Sequence, residues 1–269
     1  MKQLKFLMVA FTLLMGVSFT SCLNDDAGES MYDGIGYVRT VMGSYFVDLY
    51  GNTYHPTMAS VTEMEAQGFK MSGTDLAQIA FKYVEDTPAT KAEGGTFTPQ
   101  DYRIKLVSAI AVDSYSTRYA SSVEDMETIP ETAPIVTLEP TDNYGQTYKP
   151  WMYGAEMLVL PISWKMENKE MLKQHTMELV YINDESNESS TELVFYLRHN
   201  KGTDTKTDVF AVRNKAYDVK QIMSDFKGKH GSYPTTIRIK AKTDMDGAKL
   251  PEKYTDYTIE NFKWNPSNQ

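Results

Sequence analysis

The sequence predicts a mostly β protein whose second half folds as a β-sandwich, and three observations carry that prediction. Apolar and polar residues alternate with the two-residue period of a strand in one segment after another. Aromatic content is high, with 18 Tyr, 11 Phe and 3 Trp, and such residues suit a pleated, half-buried surface. Clusters of Gly, Pro, Asn, Asp and Ser punctuate the alternating runs at short intervals. The length of 269 residues accommodates two domains.

Taken in order, residues 35–50 (IGYVRTVMGSYFVDLY) alternate as a strand, and Gly43-Ser44 turns them into a hairpin. Ser60 and Glu63 have capping-box spacing and Gly68 is a stop, which predicts a short helix over 60–67. Alternation resumes over 75–85 through Ile79, Phe81 and Tyr83. Residues 86–100 (DTPATKAEGGTFTPQ) read as a polar loop. Residues 102–113 alternate most regularly, placing Tyr102, Ile104, Leu106, Ser108, Ile110 and Val112 on one face. Residues 121–133 (SSVEDMETIPETA) mix Ser, acids and Pro without an apolar period. They are expected to link a domain over 34–120 to one over 134–269.

The second half offers strands near 134–139, 156–164, 174–182, 190–199, 207–213, 234–242 and 254–263. NDESNES at 183–189 is a hairpin loop. Val219, Ile222, Met223 and Phe226 have helical spacing, with Gly228 as the cap. Seven strands at such intervals favour a sandwich over a parallel α/β fold. No internal repeat is evident.

The first residues, MKQLKFLMVAFTLLMGVSFTSC, carry Lys2 and Lys5, then an uncharged apolar run from Phe6 to Val17, then Ser18, Thr20 and Ser21 before Cys22. That order of charged, apolar and small residues is a secretory signal over 1–21. The apolar run is too short for a helix crossing a hydrocarbon layer of about 30 Å. Cys22 is the chain's single cysteine, so no internal disulfide is available. Its place after the cleavage point resembles the lipobox of bacterial lipoproteins, with Phe19 where Leu is usual, a change that Bacteroidetes lipoboxes tolerate. The resemblance implies cleavage before Cys22 and acylation of its thiol and amino terminus. Several acyl chains, each methylene contributing about 0.8 kcal/mol, anchor stably where one chain alone does not. Residues 22–33 then form an acidic tether, with Asp25, Asp26 and Glu29, that resembles the surface-export signal of Bacteroidetes lipoproteins. The expected location is the outer membrane, lipid-anchored, at the cell surface or otherwise on the periplasmic face.

The signal ending SCLNDD, the segment GIGYVRTVMGSYFVDLYGN, and HTMELVYIN followed by TELVFYLRHN together resemble the NigD-like lipoproteins of Bacteroidetes over nearly the whole mature chain. The resemblance implies an N-terminal OB-like barrel over 34–120 followed by a C-terminal β-sandwich. It also implies a role in immunity against a bacteriocin, but no residue pattern exists to carry that role across.

The formal charge is −9, and −11 once the two lysines of the leader are removed. An acidic body argues against a nucleic-acid partner, because phosphate binding rests on clustered Lys and Arg. The locally basic stretch from Arg198 to Lys242, with Arg213, Lys227, Lys229, Arg238 and Lys240, reads as the solvated face of strands. His55, His175, His199 and His230 lie in no HExxH or comparable ligand pair, so no metal site is expected. No GxSxG, GxxxxGK[ST] or GxGxxG occurs, so no catalytic residue, nucleotide or other cofactor is assigned. The acid pairs Glu124-Asp125 and Asp244-Asp246 read as loop acids.

The most suggestive stretch is YGQTYKPWMYG at 144–154. Tyr144, Tyr148, Trp151 and Tyr153 can form a platform for a sugar ring or a protein, or can cover the sandwich end. The sequence therefore favours a non-catalytic binding module for an outer-membrane protein or a glycan. Bacteriocin immunity and a glycan-active enzyme are the alternatives.

Overall fold

The computed structural model describes residues 31–84, 99–183 and 189–264. They fall into two compact units, one ending at Ser114 and the other covering Tyr115–Trp264. The expected signal peptide, Cys22 and most of the tether lie outside the described residues, as do loop residues 86–98 and 184–188.

In the first unit the chain runs through β1 (Gly34–Val41), β2 (Tyr45–Val47), β3 (Thr53–Pro56), α1 (Met58–Ala66), β4 (Leu76–Tyr83) and β5 (Asp101–Ser116). β1 pairs antiparallel with β2 and with β4, β2 with β3, and β4 with β5. A parallel pairing of β3 with β5 closes the ring. This is the expected OB-like barrel: five strands with a helix between the third and fourth. Its interior holds Val38, Phe46, Tyr54, Ile79, Ile104 and Leu106, all buried. Rings meet there at a tilt, with Tyr54 at 5.1 Å from Phe81 and 5.3 Å from Tyr102.

Two details differ from the expectation. α1 starts a turn earlier than Ser60, because Thr57 is the residue with extended backbone, and its hydroxyl accepts from the Ser60 N–H. Ser60 is fully buried and donates its hydroxyl to the Thr57 carbonyl instead. In β5 the regular alternation does not persist in space. Ala80 pairs with Ser108 but Phe81 pairs with Leu106, which leaves Val107 as an extra residue. One inserted residue flips the side chains beyond it. Tyr102, Ile104 and Leu106 point inward, whereas just beyond the bulge Ile110 is exposed and Ala109 packs on the barrel core; Val112, of the expected face, is buried again.

The second unit is the expected sandwich. One sheet has the order β11 (Val209–Asp218), β8 (Met157–Met166), β7 (Trp151–Tyr153), all antiparallel. The other has the order β13 (Thr255–Ile259), β12 (Thr236–Ala241), β10 (Glu192–Asn200), β9 (Thr176–Ile182), β6 (Arg118–Ala120). In it β10 and β12, and β6 and β9, run parallel. Leu158, Leu160, Ile162 and Trp164 of β8 meet Leu193, Phe195, Leu197, Ile237 and Ile239 of the facing sheet. α3 (Lys220–His230) adds Ile222, Met223 and Phe226 to the same core. It ends at Gly231 with φ 77°, three residues beyond the expected Gly228.

Residues 134–139 do not make a strand. Ile135 bridges to Thr243 after β12, and Thr137 bridges to Ser163 of β8. The segment thus crosses from one sheet to the other, burying Ile135 and Leu138, and joins neither ladder. Residues 121–133, expected as a connection, are built into the sandwich unit. Ser122 caps α2 (Val123–Glu127), and Met126 and Ile129 are buried with Ala120 and Val180 on the outer face of the larger sheet. Two apolar residues three apart are enough to dock one helical turn but too few to register as a periodic pattern. The division between the units falls at Ser114–Tyr115, inside β5.

Candidate functional site

The segment from Thr141 to Pro150 leads into β7 and is organised by one carboxylate. Asp142 is buried. Its Oδ1 accepts the N–H groups of Tyr144 at 2.8 Å and Gln146 at 2.9 Å, and its Oδ2 accepts the Tyr148 hydroxyl at 3.2 Å. Asp142 N–H donates to the Gln146 carbonyl, and Gly145 N–H donates to the Asp142 carbonyl. Gly145 has φ 83°, a backbone that glycine adopts without steric cost. The five bonds fix the path of a tight loop from within, and the Tyr148 N–H donating to the Pro140 carbonyl closes its base.

The four aromatics of the expected platform are split by this arrangement. Tyr144 stands 91% exposed at the tip. Tyr148 is half-buried and braces the turn from below. Trp151 is half-buried and Tyr153 is 3% exposed. Their rings meet edge to face at 6.1 Å on β7. Tyr144 is therefore the member of the four that faces outward, accompanied by the exposed amides of Asn143 and Gln146.

The structure also reveals a repeat that the sequence analysis did not find. Asp48–Pro56 reads DLYGNTYHP and Asp142–Pro150 reads DNYGQTYKP, identical at six of nine positions. The hydrogen bonds repeat as well. Asp48 Oδ1 accepts from Tyr50 N–H at 2.8 Å and Asn52 N–H at 3.0 Å, and its Oδ2 accepts the Tyr54 hydroxyl at 2.9 Å. Asp48 N–H donates to Asn52, Gly51 N–H donates back to Asp48, and Gly51 has φ 81°. Tyr50, the counterpart of Tyr144, is 60% exposed. Burial first, then the Asp48 charge, pushes the Tyr54 phenol well above its ordinary pKa. The signal was present as a spacing, D-x-Y-G-x-T-Y-x-P, but nine residues recurring once at a distance of 94 are invisible to a search for domain-sized periods.

Two of the histidines come together where no short spacing announced it. His175, just before β9, places Nδ1 2.8 Å from His199 Nε2 at the end of β10, and Nε2 2.8 Å from Asp204 Oδ2. His199 Nδ1 lies 2.9 Å from the Pro134 carbonyl. A carbonyl only accepts, so His199 Nδ1 carries the proton and its Nε2 accepts. Both His175 nitrogens then donate, which makes that ring an imidazolium facing the Asp204 carboxylate. Burial first, with the positive charge on His175 adding to it, pulls His199 down to about 4 against the hold of the Pro134 carbonyl. Burial opposes the charge on Asp204, but bonds from His175 and from the Glu167 and Lys206 N–H groups hold its carboxyl below the usual range. The two histidine rings and Asp204 are almost wholly buried beside Trp164. Every ring nitrogen is used inside the protein, so the chain of bonds ties β9, β10 and two loops together and aims no group outward.

The remaining charged candidates are also absorbed locally. Asp125 accepts from Ser121 at the start of α2, and Asp244 accepts from Ala248 and Lys249 N–H groups in its own turn. Arg238 lies between Glu192 at 2.6 Å and Asp256 at 2.7 Å. Arg198, expected on a solvated face, is buried and shares Glu131 with Lys242.

No protein-family model and no curated protein matches this chain. Solved structures do. A "Putative lipoprotein" of Bacteroides fragilis superposes with a TM-score of 0.63 at 22% identity, covering 86% of this chain and 98% of its own. The chain has the fold of that Bacteroides protein. A protein of unknown function from Bacteroides vulgatus follows at TM-score 0.52 and 10% identity, covering 87% of this chain and 96% of its own. A NigD-like immunity protein of Bacteroides caccae is among the neighbours at TM-score 0.47 and 12% identity, covering 83% and 90%. At these identities the likeness is one of architecture.

Proposed function

We propose that the chain is a lipid-anchored protein of the bacterial outer membrane, held through Cys22 with its body at the cell surface, and that it works by binding. The leader, the lone cysteine at its cleavage point and the acidic residues after it support the anchor. So does the description of the Bacteroides fragilis neighbour as a lipoprotein.

The observation that carries the binding role is the Asp142-held turn. It spends five hydrogen bonds on its own backbone and Tyr148 while leaving Tyr144 91% exposed. An aromatic ring on a preorganised backbone contributes contact area at low entropic cost. The titratable cluster at His175, His199 and Asp204, by contrast, is sealed inside the sandwich and bonds only to protein. The test is a photo-crosslinking amino acid at position 144 of the full chain in living cells, with the exposed position 252 as control. The role predicts a discrete adduct from position 144 that position 252 does not give. Equal adducts from both, or none from 144, contradict it.

A further inference from the structure

Two cations of the basic stretch stand apart from the rest. Arg213, expected on a solvated face, and Lys215, two residues on, lie on the inner face of β11. That strand pairs with β8 without a break from Val209 to Asp218, so its side chains alternate between the two faces. Val209, Ala211 and Tyr217 belong to the core between the sheets, and Arg213 and Lys215 share their face. Lys215 is 6% exposed. Its ammonium donates to the Tyr115 hydroxyl at 2.8 Å and lies 4.4 Å from the centre of that ring. Arg213 is half-buried and donates to the Val212 carbonyl at 3.0 Å. Among the described residues neither cation has a carboxylate within ion-pair distance. Arg198, Arg238 and Lys242, by contrast, each sit against an acid. Beyond the effect of burial, the charges of His175, Lys215 and Lys201 all pull His199 down, so this flank of the core is electropositive. A buried ammonium beside a second cation is costly unless negative charge and acceptor oxygens reach it.

We propose that Arg213, Lys215 and the Tyr115 hydroxyl form a binding site for a phosphate monoester at the β11 flank of the sandwich. The site shares no residue with the Tyr144 turn. Alternate positions on one face of a strand lie about 7 Å apart, a gap that the long Arg and Lys side chains can close onto one group. Ammonium and guanidinium only donate, and the one bond each makes leaves most of their N–H groups unused. Such an array calls for an oxyanion. A phosphate monoester carries about −1.5 to −2 at pH 7 and balances two cations, whereas a carboxylate balances one. Arginine grips phosphate oxygens in a fork, and lysine adds a point charge. Tyr115 is 40% exposed and Arg213 half-buried, so the phosphate enters from water beside them and meets Lys215 beneath. The chain's net charge of −9 repels a polyanion, so the fitting ligand presents a single terminal phosphate rather than a phosphate backbone.

The experiment is isothermal titration calorimetry of the full mature chain, with Cys22→Ser to omit the lipid, in phosphate-free buffer at constant ionic strength. The probes are inorganic phosphate, glucose 1-phosphate, and phosphatidylcholine vesicles with and without phosphatidic acid. The proposal expects saturable binding of at least one phosphate probe. Arg213→Gln and Lys215→Met should each weaken it about tenfold or more, as loss of a hydrogen bond to a charged group does. Thermal melts supply a second readout. Phosphate should raise the midpoint of the wild type and leave that of Lys215→Met unmoved. Should Lys215→Met fail to fold, Arg213→Gln at the rim decides. Binding of the soluble probes assigns the phosphate to a small molecule, and binding of the phosphatidic acid vesicles alone assigns it to a lipid headgroup; either upholds the site. Saturable binding of none of the probes, or binding indifferent to the folded variants, overturns the proposal.

Discussion

Replacing Asp204 by alanine should destabilise the sandwich unit more than its place in a loop suggests. Asp204 accepts His175 Nε2–H and the Glu167 N–H on Oδ2, and the Lys206 N–H on Oδ1. Alanine removes all three acceptors and strips the counter-charge from a buried imidazolium. Breaking a buried pair by deleting one partner costs about 3–5 kcal/mol, because the other charge is left uncompensated. For a unit of about 150 residues, each kcal/mol moves the melting midpoint by roughly 2–4 °C, so the midpoint should fall by roughly 6–20 °C. The assay is a thermal melt followed by near-ultraviolet circular dichroism, which reads Trp164 beside the cluster. A double-mutant cycle with His175→Ala adds specificity. Once His175 is gone, Asp204→Ala should cost markedly less, since the stranded cation is absent. A midpoint within 2 °C of wild type, or strict additivity in the cycle, would refute the assignment of His175 as an imidazolium paired with Asp204.

The same cluster predicts acid lability. His199 is lowered from 6.5 to about 4, so the unfolded state binds the extra proton between those values, and stability that is fully present above pH 6.5 is lost as pH falls toward 4. The loss is about 3 kcal/mol, and the lowered Asp204 continues it below its ordinary 3.8. Urea midpoints measured from pH 7 to pH 4 should decline, and His199→Leu should flatten that slope. Tyr153→Ala, at a position 3% exposed, should cost about 3–5 kcal/mol, readable as a shifted urea midpoint; a shift worth under 1 kcal/mol would place Tyr153 outside the packed interior. Cells fed a labelled fatty acid should label the wild-type chain and leave Cys22→Ser unlabelled. Equal labelling of both would remove the anchor.

Most strands were readable because one of their faces meets water, which imposes alternation on the sequence, whereas β8 is buried on both faces and reads as a near-continuous apolar run. β8 to β13 each overlap an expected strand, as do β1, β2, β4 and β5. What escaped were features set by geometry between segments. The bulge at Val107 interrupts the buried face of β5, leaving Ile110 exposed before Val112 is buried again, and nothing in the unbroken pattern from Tyr102 to Val112 records the break. Residues 134–139 are apolar because they are buried, yet the chain uses them to cross between sheets. Met126 and Ile129 anchor a helix too short to show a period. Thr57 takes the cap from Ser60 because backbone angle decides between two equally suitable hydroxyls.

The candidate site shows the same limits. Aromatic density drew attention to 144–154, but composition treats Tyr144 and Tyr153 alike. Their separation into a fully exposed tip and a buried strand residue follows from Asp142, whose role depends on bonds to positions two, four and six residues on. His175, His199 and Asp204 are 24 and 29 residues apart, spacings that no local motif contains. Their convergence is a consequence of β9 pairing antiparallel with β10, where Met177 lies opposite His199.

The most direct measure of the binding account is a pair of curves on one variant. Purified mature Tyr144→Ala and wild type, both carrying Cys22→Ser, are titrated onto washed cells that lack the chain, and their thermal melts are recorded in parallel. The account predicts saturable binding by wild type, a loss of at least tenfold in apparent affinity for the variant, about what removal of one central contact supplies, and superimposable melts. Superimposable melts with equal binding, or saturable binding absent from wild type itself, would contradict it.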